Sequence, residues 1–478
     1  MSVAFLRPRH DQPGMSSRRP GDFVEPSAFY FERNNFMRTE QDLTVGNVSI
    51  QLIKFAVPLF FANLLQSLYN IIDMLVVGRI IGSTGVAAIS NASALVFIIN
   101  AICTGVTLGG TVLIAQYKGA NDRNSQKETV GTIYSVTAIV ALLITGIGLF
   151  AYKPLLDLMN VPAEALEDAY EYMLIIFLGT FFVFGYNSTC SILRGFGDSK
   201  RPLIFVGIAT IINIILDYLF VGPMAMGTVG AAYATVIAQG VSFVISIAYL
   251  KSQRFIFNFK LKSFAIKKGK LISVLKISLP ATIQMTVVNI SYVVLAAMLN
   301  GYGVTVAAAA GIGLKINTFA GMPCWAVGQS MTTMVGQSIG AGLCCRAEKT
   351  GKVGLRFNLL VTFIVVVIVQ IFAIQLVSLF TPSNPEVIKL GIRYLRICCF
   401  WNILIYAVMY SFDSFAVGVG SANIAMVDAL LDAAFIRLPL CFLISTSFIS
   451  GFEGIYWGQA FSPIIPAIIG ATYFRSKR

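Results

Sequence analysis

From about residue 47 onward, apolar stretches long enough to cross a bilayer alternate with short polar loops. The first runs from Lys54 to Gly82, where the 24 residues between Lys54 and Arg79 carry a single charge, Asp73. About 20 apolar residues cross a bilayer core as a helix, so this stretch predicts a membrane span. Five more are expected at roughly 86–116, 130–151, 168–193, 202–221 and 228–250. After a basic loop, another six follow at roughly 272–299, 304–339, 354–379, 389–412, 422–446 and 453–474. The pattern predicts an all-α polytopic membrane protein with 12 transmembrane helices.

The two halves repeat each other. Lys54 to Pro58 (KFAVP) matches Lys276 to Pro280 (KISLP) at an offset of 222, and AQYKGA (115–120) matches GQSIGA (336–341) at 221. Pro162 and Gly197 match Pro385 and Gly420 at 223. Six helices per copy return the chain to the same side, so the copies share one topology and a pseudo-two-fold axis along the membrane normal. Parallel repeats of this kind are a transporter architecture with the substrate path near the repeat interface. The expected organisation is a polar tail at 1–46, a first lobe at 47–250, a basic linker at 251–270, a second lobe at 271–474 and a short end at 475–478.

Composition agrees with a membrane chain: 56% hydrophobic and 12% charged residues, against roughly 25% charged in soluble domains. The net charge of +13 comes from short loops, with no basic face interleaved with stacking aromatics, so nucleic acid is not an expected partner. Lys and Arg concentrate on alternate loops (Lys118, Arg123, Lys127; Arg194, Lys200, Arg201; seven in 251–270; Arg346, Lys349, Lys352; Arg475, Lys477, Arg478). The positive-inside rule then places both termini in the cytoplasm, and the tail has no signal-peptide run. Eight cysteines include no CxxC pair, the only histidine is His10 in the tail, and no P-loop motif occurs. Zinc, histidine chemistry and ATP as a driving force are therefore not indicated, and no enzyme activity is expected.

The chemistry lies in the few polar groups inside the spans. A carboxylate at a membrane helix centre costs roughly 2.5–3.5 kcal/mol on insertion scales and normally faces a bundle interior or a watery cavity. Gln66, Tyr69 and Asp73 recur at i, i+3 and i+7 and share one helical face. Asn213 and Asp217 in the fifth span, and Thr235 and Gln239 in the sixth, are i, i+4 pairs. If these faces meet, two carboxylates, an amide and a hydroxyl converge. That set suits a proton or a hard cation such as Na⁺. The second half carries Lys315, Asp413, Asp428, Asp432 and Arg437. Asp432 and Arg437 are five residues apart, about 500° around an α-helix, so an intrahelical pair is not expected. Pro58 and Pro280, at equivalent places in the repeat, suggest a bend near the start of each lobe's first helix.

The segments LYNIIDMLVVGRIIG, AQYKGA with GQSIGAG, LRGFGDSKRP, NIILDYLFVG and GTVGAAYATVIAQ, in this order and spacing, resemble the multidrug and toxic compound extrusion (MATE) family. The resemblance covers about residues 46 to 474. It implies two six-helix lobes forming a V and export of organic cations and amphipathic compounds against inward flow of H⁺ or Na⁺. It further implies a coupling-ion site at Asp73, Asn213, Asp217 and Thr235, and a pocket lined by Gln66, Tyr69 and Asn187, to which Gln239 is added from its helical face. No resident cofactor is expected, only the transported cation, in a protein of the plasma (inner) membrane working as a monomer. The segment PATIQMTVVNISYVVLAAM lacks the acid that NorM-like members carry in the seventh span, which favours a DinF-like first-lobe mechanism. A lipid-linked oligosaccharide flippase of the same superfamily is the nearest alternative, followed by a nutrient symporter. A non-transporting membrane scaffold is the alternative from a different class.

Overall fold

The computed structural model describes residues 41–477 apart from 160, 254, 382, 383, 449 and 450, so most of the expected polar tail, including His10, lies outside the described residues. The first lobe comprises α1 (Val48–Ile80), α2 (Ser83–Gly119), α3 (Arg123–Leu158), α4 (Ala163–Gly195), α5 (Lys200–Val221) and α6 (Gly227–Ser252). The second comprises α7 (Lys268–Asn300), α8 (Val304–Gly340), α9 (Cys344–Ile371), α10 (Pro385–Val419), α11 (422–448) and α12 (452–476). Among the described residues, ten of these helices are long and apolar enough to cross a membrane, α10 with a π-helical stretch at Leu395–Asn402. The other two predicted spans are present in pieces. In α11 the α-helix gives way to π-helical turns at Leu431–Arg437 and Ile444–Phe448, and α12 is interrupted between Phe461 and Ile464, where Pro463 has no N–H to give. α1 starts where Asn47 Oδ1 accepts the N–H groups of Ser49 (2.9 Å) and Ile50 (3.3 Å), an N-cap. Both α1 and α7 continue as α-helix through Pro58 and Pro280.

The helix packing carries the repeat. In the first lobe α1 lies on α5, α2 on α3 and α4, and α4 on α6; in the second, α7 lies on α11, α8 on α9 and α10, and α10 on α12. Between lobes, α1 meets α8 as α7 meets α2, and α2 crosses α8. Each of these contacts is matched by its partner six helices on, as a pseudo-two-fold axis requires.

Three apolar cores show where the lobes join. One, built around Val77, Ile99, Met173 and Phe184, belongs to the first lobe alone. A second, around Leu299, Val366, Tyr394 and Tyr456, belongs to the second. The third is shared: Leu43, Leu52, Phe55 and Leu59 pack against Val327, Met331 and Met334. The shared core uses the first turns of α1 and the last turns of α8, so the lobes close at the end where the chain enters α1 and keep separate cores at the other end.

At the closed end the crossing of α2 and α8 is reciprocal down to single atoms. A Cβ added at Gly119 would stand 1.9 Å from the Gln337 carbonyl oxygen, and one at Gly340 would stand 1.8 Å from that of Gln116. Gln116 Nε2 donates to the Gly418 carbonyl, and Gln337 Nε2 to the Gly195 carbonyl, each at 3.1 Å. The carbonyls that receive these bonds belong to α4 and α10, whose ends are the same motif twice. Gly197 (φ +87°) and Gly420 (φ +98°) adopt the left-handed conformation that glycine accepts without strain. The next N–H groups, of Asp198 and Ser421, return to Leu193 and Ala416. The chain before α1 fastens the same end: Leu43 N–H donates to Gln337 Oε1 at 3.2 Å. The Arg346 guanidinium holds the carbonyls of Leu43, Val45 and Gly46 at 2.8–3.1 Å.

Candidate functional site

Packing of α1 on α5 brings the two first-lobe acids together. Asp73 on α1 is 6% exposed and Asp217 on α5 is fully buried, and their charges act on each other. Among the described residues, one oxygen of Asp73 and both oxygens of Asp217 have no hydrogen-bond partner. Asn213 stands one turn before Asp217, fully buried, with both amide atoms unpartnered. Tyr69, one turn before Asp73, donates its hydroxyl proton to Thr235 Oγ1 on α6 at 2.8 Å. The four residues expected to hold the coupling cation thus come from three helices that meet in one lobe.

Beside them Gln66, Tyr69 and Gln239 line a void of about 10 Å³, room for one water molecule, with Tyr186, Val206, Ala209 and Thr210. Gln239 Oε1 and the Tyr186 hydroxyl are buried without hydrogen-bond partners among the described residues. Asn187 is not among the lining side chains; its amide donates to the Val183 carbonyl one turn back at 2.9 Å. Three neighbours escaped the sequence analysis. Tyr172 on α4 is buried and lies in the field of both acids, and Tyr186 is on the same helix. A tyrosine inside an apolar span, with a hydroxyl to satisfy, was the available signal. Asn63, whose Nδ2 is also unpartnered, precedes Gln66 by three residues and extends the α1 stripe.

The second lobe corrects one expectation. Asp432 and Arg437 do form an ion pair within α11, each 1% exposed. Residues 431–437 are π-helical, and an i→i+5 repeat aligns side chains that α-helical spacing would splay. Arg437 also reaches Ser462 Oγ at 3.3 Å and lies over the Tyr292 ring. Removing one partner of a buried pair leaves an uncompensated charge at a cost of about 3–5 kcal/mol, whereas replacing both is often neutral. Arg437→Met is therefore expected to lower the thermal unfolding temperature sharply. Adding Asp432→Asn should recover most of the loss. Equal destabilisation of the single and double variants would show that the guanidinium matters through packing alone. Lys315, on α8, is exposed.

Two stretches of the chain, residues 58–219 and 280–443, match the MatE family model, and their starts lie 222 residues apart as the internal repeat does. The chain is 28% identical over 441 residues to the probable multidrug resistance protein YpnP of Bacillus subtilis, covering 91% of this chain and 97% of that protein. It is 24% identical to the probable multidrug resistance protein NorM of Thermotoga maritima, over 93% of this chain and 95% of that one. Among solved structures, a multidrug resistance MATE family transporter in an outward-facing conformation superposes with a TM-score of 0.87 at 23% identity, covering 92% of this chain and 98% of that chain. A MOP superfamily transporter from Pyrococcus furiosus gives the same score at 22% identity and the same coverage. With the family model matched in both repeats, this chain belongs to the MatE family: it is a multi-pass membrane transporter of the multidrug efflux type, not an enzyme.

Proposed function

We propose that this transporter is a cation-coupled antiporter that exports organic cations and amphipathic compounds by alternating access, and that the cation, H⁺ or Na⁺, binds at Asp73, Asn213, Asp217 and Thr235. The observation that carries the proposal is the pair of buried acids, Asp73 and Asp217, with three carboxylate oxygens that have no hydrogen-bond partner among the described residues. Retaining unpaired buried charge is costly, and a site that alternately fills and empties is the arrangement in which that cost serves a purpose. Tyr69 belongs both to the acid cluster and to the water-sized void beside it, so a change at the acids is felt along the same face of α1. Differential affinity of the two ligands for two states is what exchange requires.

In this reading the basic loops and both termini lie in the cytoplasm of a plasma membrane, and the closed end of the lobes faces inward. The test is efflux of a fluorescent organic cation from cells or oriented liposomes, with pH and Na⁺ gradients imposed separately. Export driven by one gradient is expected and names the ion. Protein present in the membrane with no dye movement under either gradient would overturn the drug-antiporter reading and direct attention to lipid-linked substrates.

A further inference from the structure

The second lobe buries two carboxylates that the first-lobe site does not use. Asp413 lies on α10 and Asp428 on α11, each within two turns of the short link between these helices, and they are 2% and 0% exposed. The two carboxylates lie in each other's field, and among the described residues none of their four oxygens has a hydrogen-bond donor. α12 closes the site: at Gly470 an added Cβ would meet the Phe412 Cβ at 2.8 Å and Asp428 Oδ2 at 3.5 Å. Other charged or titratable groups facing the pair are Tyr410, one turn before Asp413, and Asp432, one turn after Asp428. Among the described residues, the buried cation of this lobe is Arg437, and it is spent on Asp432.

Two ionised carboxylates close together in an apolar surround would lose their hydration and repel, with no donor or free buried cation among the described residues to offset either cost. A proton between them removes one charge and makes a short charge-assisted O–H···O⁻ bond. A metal ion fits less well, because it needs further oxygen ligands. The adjacent hydroxyls turn back to their own helix, Ser411 to the Ala407 carbonyl and Ser414 to that of Tyr410, both at 2.7 Å. We propose that Asp413 and Asp428 form a second proton-binding site, holding one proton between them in the second lobe, separate from the Asp73 and Asp217 cluster. The site does not depend on the antiport reading, since it is defined by occupancy rather than by flux.

The test uses the full-length protein in lipid nanodiscs, without substrate, carrying Asp73→Asn and Asp217→Asn so that the first-lobe acids are silent. Infrared difference spectra with carboxyl-labelled aspartate are recorded against pH. A protonated-carboxyl band that titrates as one group is expected, shifted when either Asp413→Asn or Asp428→Asn is added and lost when both are. Each amide can donate to the remaining carboxylate, so the pair keeps its hydrogen bond. Absence of a labelled band in the parent protein would overturn the proposal even if the further variants fail to fold. So would a band that survives both substitutions, or one that disappears when Na⁺ replaces choline at constant pH, since the pair would then hold the metal.

Discussion

Asp217→Asn is expected to reduce gradient-driven efflux at least about tenfold, one unit of 1.4 kcal/mol, while leaving the protein folded and inserted. Asparagine keeps the shape of the side chain but can neither take up a proton nor bring negative charge to a cation. Asp217 is fully buried and both of its oxygens are unpartnered, so removing the charge also removes a desolvation cost and stability should hold or rise. Asp73→Asn is expected to behave likewise, because the two acids act on each other across the contact of α1 with α5. Asn213→Ala separates the two cations: a neutral amide is a useful ligand for Na⁺ but not a proton acceptor, so the substitution should impair Na⁺-driven export far more than H⁺-driven export. The measurements are initial rates of dye efflux under each gradient, normalised to protein in the membrane. Efflux that survives both aspartate substitutions would remove these acids from the coupling step.

Gly340→Ala is expected to prevent the lobes from closing as they do here and to abolish transport. The added Cβ would lie 1.8 Å from the backbone oxygen of Gln116, whereas ordinary contact begins at 3.4 Å. Backbone lies on both sides of the clash, so no side chain can swing away, and the helices must part by more than an ångström. Close helix approach in membranes depends on small residues of this kind. Because Gly119 meets Gln337 in the same way, Gly119→Ala should have the same effect, a symmetry that ordinary core damage would not produce. Gly146 and Gly311, helical glycines with nothing within 4 Å, provide controls where alanine should be harmless. Spin labels at Asn124→Cys and at Cys345, in a background without the other cysteines, would report a longer distance in the Gly340 variant. Wild-type efflux together with an unchanged distance would show that the crossing is not needed for the cycle.

Much of the candidate site was legible along the chain because helical periodicity places residues on faces. Gln66, Tyr69 and Asp73 on α1 and Asn213 and Asp217 on α5 needed no knowledge of tertiary structure to be aligned. The equivalence of Gly197 with Gly420 was likewise visible, and both end their helices with the same left-handed turn. Asn187 entered through family resemblance rather than periodicity, and its amide donates to the Val183 carbonyl on its own helix.

What required the folded chain was everything that depends on a partner from another helix or on a local change of helical pitch. The π-helical turn in α11 pairs Asp432 with Arg437 against α-helical spacing, and no composition rule announces that turn. Asp413 and Asp428 read as isolated charges until the contact of α10 with α11 brings both into one buried region. Gly119 and Gly340 were visible as repeated glycines, but their need to be glycine comes from carbonyl groups of the opposite lobe. Spans, repeat and polar faces follow from transfer free energy and periodicity, which are properties of a single helix. Pairing, closure and unsatisfied charge follow from which helices pack together, and that is decided only when both lobes are assembled.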